Sequence, residues 1–224
     1  MCRETIAARF PDHAVLAEEL GASKTNVGAR HRWIFDPLDG TTNYAHGLPV
    51  FCASLGLEID GRREVGAVYD PTRKELFTAV RGGGAFVNDA PLRSSHTGVL
   101  RDGLLVTGFP YTVHEQAAEL VALFGTFISR AQAVRRLGSA ALDLCYVAAG
   151  RFDGFWEQHL KPWDVAAGAL IVEEAGGRIT GMDGSAFDAS AGHLVASNGP
   201  LHEPMLAVIR DFRADRGGTT HANR

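Results

Sequence analysis

The segment Trp33-Ile34-Phe35-Asp36-Pro37-Leu38-Asp39-Gly40-Thr41-Thr42-Asn43 constrains this chain more than any other. An apolar run, Trp33 to Phe35, reads as a buried strand, and Asp36 sits where that strand is expected to stop. Asp36 and Asp39 are separated by a rigidifying proline and followed by a glycine. Gly40-Thr41-Thr42 reads as a tight turn opening a short helix, with a threonine as N-cap. Acids at a strand end, aimed at a helix N-terminus, make a place for cations and an anion together. Carboxylates hold divalent metal, and free N–H groups at the positive helix end hold phosphate.

The rest of the chain divides in two. Residues 1–10 read as the end of a helix, 15–19 as a short strand running into Glu18-Glu19, and 21–32 as a loop. Strands are expected over 51–59, 64–69 and 75–80, joined by the turns Asp60-Gly61 and Asp70-Pro71-Thr72-Arg73. Gly82-Gly83-Gly84 lacks the lysine and following Ser/Thr of a P-loop and reads as a hairpin turn. This half is expected to be an antiparallel meander. Beyond residue 100, strands over 104–109, 133–135, 152–156 (ending in Glu157), 178–180 and 193–196 interleave with helices over 114–131, 139–149, 162–175 and 200–213. Residues 217–224 read as a frayed tail. The pattern predicts a layered α/β (α+β) fold: a metal-binding antiparallel-sheet half over 1–100 and an α/β half over 101–224, forming one compact unit.

Composition narrows the function. A chain of 224 residues with 46% hydrophobic residues can bury a sizeable core. A formal net charge of -4 favours neither nucleic acid nor membrane as partner. Cys2, Cys52 and Cys145 lack metal-ligand spacing and are odd in number, which predicts reduced thiols in a cytoplasmic protein. Neither a signal peptide nor an apolar run long enough for a bilayer is visible.

Acids occur near apolar runs at three separated places: Glu18-Glu19, Asp36 with Asp39, and Asp164 within Lys161-Pro162-Trp163-Asp164. Any one alone has a bland reading, as a helix cap or solvated charge. Together they supply hard oxygen ligands suited to magnesium, which keeps waters and takes phosphate oxygens as further ligands. With oxygen ligands sufficient, His31, His46 and His159 read as surface or hydrogen-bonded side chains.

At these residues the sequence resembles the inositol monophosphatase family of magnesium-dependent, lithium-sensitive phosphatases. The resemblance is carried by Leu16-Ala17-Glu18-Glu19, by Trp33 to Tyr44, and by Trp163-Asp164-Val165-Ala166-Ala167-Gly168 with Glu173-Ala175-Gly176-Gly177 behind it. Residues 135–144 and 150–157 are similar to the bacterial inositol-1-phosphatase branch. The resemblance implies an αβαβα sandwich of the sugar-phosphatase type, a homodimer, and hydrolysis of inositol 1-phosphate or a related polyol phosphate by metal-activated water. It implies two to three Mg2+ ions. Glu18, Asp36 and the Leu38 carbonyl would hold the first. Asp36, Asp39 and Asp164 would hold the second, and Glu18 a third. Thr41 would orient the attacking water, with Glu18 and Asp36 the other catalytic groups, and Glu19 would support them. Gly40 and Thr41 would present N–H groups to the phosphate. Arg135, Gly138, Ser139, Ala140, Glu157 and Asp164 would line the substrate pocket.

The sequence departs from the family pattern at its start. Two long N-terminal helices are expected to be missing, together with an acid that partners the threonine matching Thr41. Their loss would bare an apolar sheet surface and lower turnover on the order of 10²-fold. The alternatives are histidinol phosphate, fructose 1,6-bisphosphate or a 3′-phosphoadenosine nucleotide as substrate, or a non-catalytic interaction protein.

Overall fold

The computed structural model describes residues 2–18, 21–22, 28–110 and 112–218. Glu19, residues 23–27 of the expected 21–32 loop and residues 219–224 of the expected tail lie outside the described residues.

The first half begins with helix α1 (Cys2–Arg9), strand β1 (Ala14–Ala17), the two-residue strand β2 (Gly21–Ala22) and strand β3 (His31–Asp39). A five-residue helix α2 (Thr41–Ala45) follows, then β4 (Cys52–Ile59), β5 (Arg62–Asp70), β6 (Glu75–Val80), β7 (Gly84–Val87) and β8 (Ala90–Pro91). These strands form an eight-stranded sheet in the order β2-β1-β3-β4-β5-β6-β7-β8. The meander is antiparallel from β3 onward, but β1 runs parallel to β3, pairing Ala17 with Phe35. That pairing corrects the all-antiparallel expectation, and it carries Glu18 to the same sheet end as Asp36.

The second half supplies β9 (Leu104–Thr107), α3 (Val113–Ile128), β10 (Ala133–Arg135), α4 (Ala140–Ala148), β11 (Gly154–Gln158), α5 (Pro162–Glu174), β12 (Arg178–Thr180), β13 (His193–Ser197) and α6 (His202–Gly218). Its five-stranded sheet has the order β10-β9-β11-β13-β12, parallel at β10, β9 and β11 and antiparallel beyond. Helix α6 continues through Gly217 and Gly218, where the sequence reading placed the start of a tail.

Helices α4 and α5 lie between the two sheets. Every residue of α4 is buried, and so is α5 from Val165 to Val172. A helix apolar on all sides needs partners on all sides, and here α4, α5 and both sheets share one core. Close approach is built from glycines. A Cβ on Gly168 of α5 would sit 2.7 Å from Leu144 Cβ, and one on Gly66 of β5 would sit 2.7 Å from the Ala167 carbonyl oxygen. A second core joins the five-stranded sheet to α3 and α6, with Phe127 stacked on Trp156 at 3.9 Å. The result is a mixed α/β layered fold, with two sheets and six α-helices among the described residues.

The other face of the large sheet is apolar and partly open. Trp33, Leu57, Val65 and Val80 lie in register across four strands, with Tyr69 and Leu76 beside them. Tyr69, Leu76 and Val80 are 44%, 42% and 55% exposed. Among the described residues no helix is long and apolar enough to cross a membrane.

Candidate functional site

Strand β3 does not stop at Asp36. It continues to Asp39 through a change of register: Asp36 faces Ser54 on β4, and Asp39 faces Cys52. Three steps on β3 thus match two on β4, the count of a β-bulge. Pro37 has no N–H to give the ladder and sits in that bulge. The consequence is geometric. Residues three apart on a regular strand point to opposite faces, but the extra residue brings both acids opposite Ser54 and Cys52, which share the buried face. Asp36 is 1% exposed, and its Oδ1 accepts the Leu38 N–H at 2.9 Å.

Gly40, not a threonine, is the N-cap of α2, with φ +90°. The left-handed backbone favours glycine, and a Cβ would also lie 2.8 Å from the Val50 carbonyl oxygen. The Thr41 hydroxyl instead donates to the Leu38 carbonyl at 3.0 Å. Asn43, unremarkable in sequence, is buried and donates to the carbonyls of Val50 and Leu137, tying α2 to the approach to α4.

Asp39 is held from the other half of the chain. Its Oδ2 accepts the Ser139 hydroxyl at 2.6 Å and the Ala141 N–H at 2.8 Å. The carboxylate therefore satisfies an N–H in the first turn of α4, a group with no intrahelical partner. Ser139, at the N-cap position, makes no cap bond of its own because its hydroxyl is turned to Asp39. Asp164 lies in the first turn of α5 and accepts the Lys161 N–H through Oδ2 at 2.7 Å. Glu18 follows β1, exposed, with its N–H 3.3 Å from the Phe35 carbonyl oxygen.

These groups line one cleft of about 450 Å³. Glu18, Asp36, Leu38, Asp39, Gly40, Thr41 and Asp164 are all part of its wall. So are Gly138, Ser139, Ala140 and Glu157 from the second half. Arg135 is not. It lies on β10 with Nη1 bonded to the Val134 carbonyl, while the next residue, Arg136, enters the cleft. Successive residues of an extended chain point apart, so the arginine pair cannot serve one face. The structure also adds Gly108, Phe109, Lys161 and His159 to the wall. His159 Nε2 is 3.0 Å from Gln116 Oε1. His31, by contrast, stacks on His13, and His46 is exposed away from the wall.

The site's electrostatics are those of acids crowded away from water. Burial, then the neighbouring Asp39 charge, pushes Asp36 up to about 8, against the pull of the Leu38 N–H and with added pressure from Glu18 and Asp164. Burial raises Asp164 to about 7, the Lys161 N–H opposing and Asp39 and Glu18 adding. Asp39 is raised by burial, with the Ser139 and Ala141 bonds opposing. Glu157 is raised to about 8 by burial, Asp39 and Asp164, with Arg136 opposing. Among the described residues no three His, Cys, Asp or Glu side chains close around a point as a tight ligand cage. Each aspartate instead takes a local N–H or hydroxyl. Cys52 and Cys145 are buried free thiols, both pushed up by burial, and neither lines the cleft.

Comparison with known proteins bears on the family and the fold. The model of the inositol monophosphatase family matches residues 1–214. An inositol-1-monophosphatase from Synechocystis sp. is 47% identical over 206 residues, which cover 92% of this chain and 71% of that protein. Nus factor SuhB from Pasteurella multocida is 45% identical over 212 residues, covering 95% of this chain and 79% of that protein. The solved inositol monophosphatase of Anabaena (Nostoc) sp. PCC 7120 superposes with a TM-score of 0.90 at 45% identity, over 93% of this chain and 82% of that one. With its residues matched almost end to end and its fold reproduced by a solved member, this chain belongs to the inositol monophosphatase family.

Proposed function

We propose that this chain is a magnesium-dependent phosphomonoesterase that hydrolyses inositol 1-phosphate or a related polyol phosphate to alcohol and phosphate. One observation carries the reading: Glu18, Asp36, Asp39 and Asp164, from three separated segments, line a single cleft beside the Gly40-Thr41 turn. The donor set fits a divalent cation. It is all oxygen, and a cation would offset the burial and repulsion that raise Asp36 and Asp164. Glu18, Asp36 and the Leu38 carbonyl would hold one ion, Asp36, Asp39 and Asp164 a second, and Glu18 a third. When bound, such ions supply positive charge to phosphate oxygens and a more acidic water.

The chain's own groups do the rest. The Thr41 hydroxyl spends its proton on the Leu38 carbonyl, so its lone pairs face outward to accept from, and orient, the attacking water. First-turn N–H groups of α2 are unsatisfied within the helix and suit phosphate oxygens. Glu157 would accept from hydroxyls of the alcohol. Ser139 fixes Asp39 so that this carboxylate cannot swing away. The names of the cyanobacterial relatives support inositol phosphate as the substrate class. Phosphate release from a panel of sugar and polyol phosphates, with magnesium, with EDTA and with added lithium, tests the reading. We expect magnesium-dependent, lithium-inhibited release that is highest on inositol 1-phosphate. No release from any substrate would refute it.

A second reading is an interaction protein on the same fold. It is favoured by the open apolar sheet face at Tyr69, Leu76 and Val80 and by the name Nus factor on a relative of similar identity. Under it, a partner copurifies and the phosphate panel stays silent.

A further inference from the structure

We propose that Arg136 sets specificity on the leaving-group side of the cleft, donating to one oxygen of the alcohol while Glu157 accepts from the neighbouring hydroxyl. The proposal rests on the phosphomonoesterase reading above and adds to it a residue and a demand on the substrate: a vicinal diol beside the phosphate.

The geometry is built on one dipeptide. Beyond β9 the chain presents Gly108 and Phe109 to the cleft. The Glu157 carboxylate lies directly against Gly108, where a Cβ would overlap both of its oxygens. The Arg136 guanidinium sits over the Phe109 ring, 5.9 Å from the centroid. An acceptor and a donor are thus backed by adjacent residues on the same wall. An ionised carboxylate only accepts and a guanidinium only donates, and the Arg136 charge favours the ionised form of Glu157 against the burial that raises it, so together they read a hydroxyl next to a second oxygen. Gly138 keeps the space open on the other side, since a Cβ there would meet Arg136 Nη1 at 3.3 Å.

Arg136 is also uncommitted. Arg63 and Arg81 pair with Glu173, Arg73 with Asp70 and Arg151 with Glu75. Among the described residues Arg136 has no hydrogen bond or ion pair, and its guanidinium lies over the Phe109 ring. The competing role is as counter-charge to Asp143, a fully buried carboxyl on α4 with neither oxygen hydrogen-bonded. Asp143 is pushed well up by burial and by Glu157, with Arg136 opposing. That role predicts a different outcome, because a buried counter-ion acts on the fold and on every substrate alike.

The test compares the wild-type chain with Arg136→Gln and Arg135→Gln, each with magnesium, on inositol 1-phosphate and on phenyl phosphate, whose leaving group has no diol. For Arg136→Gln we expect KM for inositol 1-phosphate to rise with kcat nearly kept. The ratio of kcat/KM between the two substrates should fall on the order of tenfold, as for loss of one charged hydrogen bond to the ground state and transition state alike. Arg135→Gln removes the same charge from outside the cleft and should leave that ratio in place. Equal losses on both substrates, with or without a lowered melting temperature, overturn the proposal and assign Arg136 to Asp143. A matching fall of the ratio in Arg135→Gln overturns it in favour of a general charge effect. A wild-type chain that releases phosphate from neither substrate removes the enzymatic reading itself, an outcome distinct from both.

Discussion

The seating of α5 on the large sheet links stability to the site, and Gly66→Ala tests the link. Gly66 of β5 pairs with Gly56 of β4, so two glycines lie side by side beneath α5. A Cβ on Gly66 would stand 2.7 Å from the Ala167 carbonyl oxygen and 3.1 Å from Ala167 Cα, whereas ordinary contact begins near 3.4 Å. The obstacle is backbone, so α5 has to retreat by about 3.4 − 2.7 = 0.7 Å. Overpacking of this kind costs about 1–3 kcal/mol. In a chain of this size that lowers the melting temperature by roughly 2–12 °C. Asp164 stands one helical turn before Ala167, so the same retreat draws its carboxylate away from Asp36 and Asp39. Misplacement by 1 Å can cost about 10²-fold in rate, and we expect magnesium-dependent phosphate release to fall on the order of tenfold. Differential scanning calorimetry and a phosphate-release assay measure the two effects. Gly125→Ala is the control of opposite sign. Gly125 lies within α3 with nothing within 4 Å of its would-be Cβ, so alanine should stabilise by about 0.5–1 kcal/mol. A Gly66→Ala protein that melts at or above wild type refutes the packing argument. One that melts lower yet keeps full turnover refutes the claim that this packing positions Asp164.

Asp164→Asn removes a proposed ligand while keeping shape. Magnesium should raise the wild-type melting temperature by mass action, and the variant should lose most of that rise and on the order of 10³-fold in turnover. A full magnesium shift in the variant sinks the ligand assignment. The raised acids set a pH dependence. Asp36 at about 8 and Asp164 at about 7 hold protons that their unfolded forms release near 4. The metal-free fold therefore binds more protons between these values, and its stability should fall as pH rises from about 4 toward 8. Magnesium binding at pH 7 should release protons and tighten up to about pH 8, which calorimetry in buffers of differing ionisation enthalpy detects; no proton release contradicts it. His202 has the opposite sign. It is fully buried between the Thr180 and Ser197 hydroxyls, and burial lowers it to about 4. Its stabilising contribution is complete above the unfolded value near 6.5 and is lost as pH falls toward 4, at most about 3 kcal/mol. Imidazole NMR shifts for His202 that titrate near 6.5 would disprove this.

Much of the fold was legible because its signals are local. Alternation in β4 and β6, the apolar continuity of α4 and α5 and the turn chemistry between strands depend only on near neighbours in the chain. Boundaries failed where a distant partner decided them. Strand β3 runs on to Asp39 because β4 tolerates a bulge there, and β1 lies parallel to β3 with Ala17 paired to Phe35. Gly40 took the cap that Thr41 was expected to fill because Val50 crowds the turn. None of these contacts has a signature within the residues it moves.

The same division runs through the site. The sequence by itself determined the inventory: four carboxylates in three separated segments, a proline between two of them, and a glycine-threonine turn behind. Residue type sets ligand chemistry, and no fold can change it. Only the tertiary structure decided which groups meet. It turned Asp36 and Asp39 to one face through a bulge. It bound Asp39 to Ser139 across a hundred positions of chain and chose Arg136 over Arg135 for the cleft wall. The physical reason is that direction and proximity come from strand register and helix seating, which depend on packing partners that sequence spacing does not reveal.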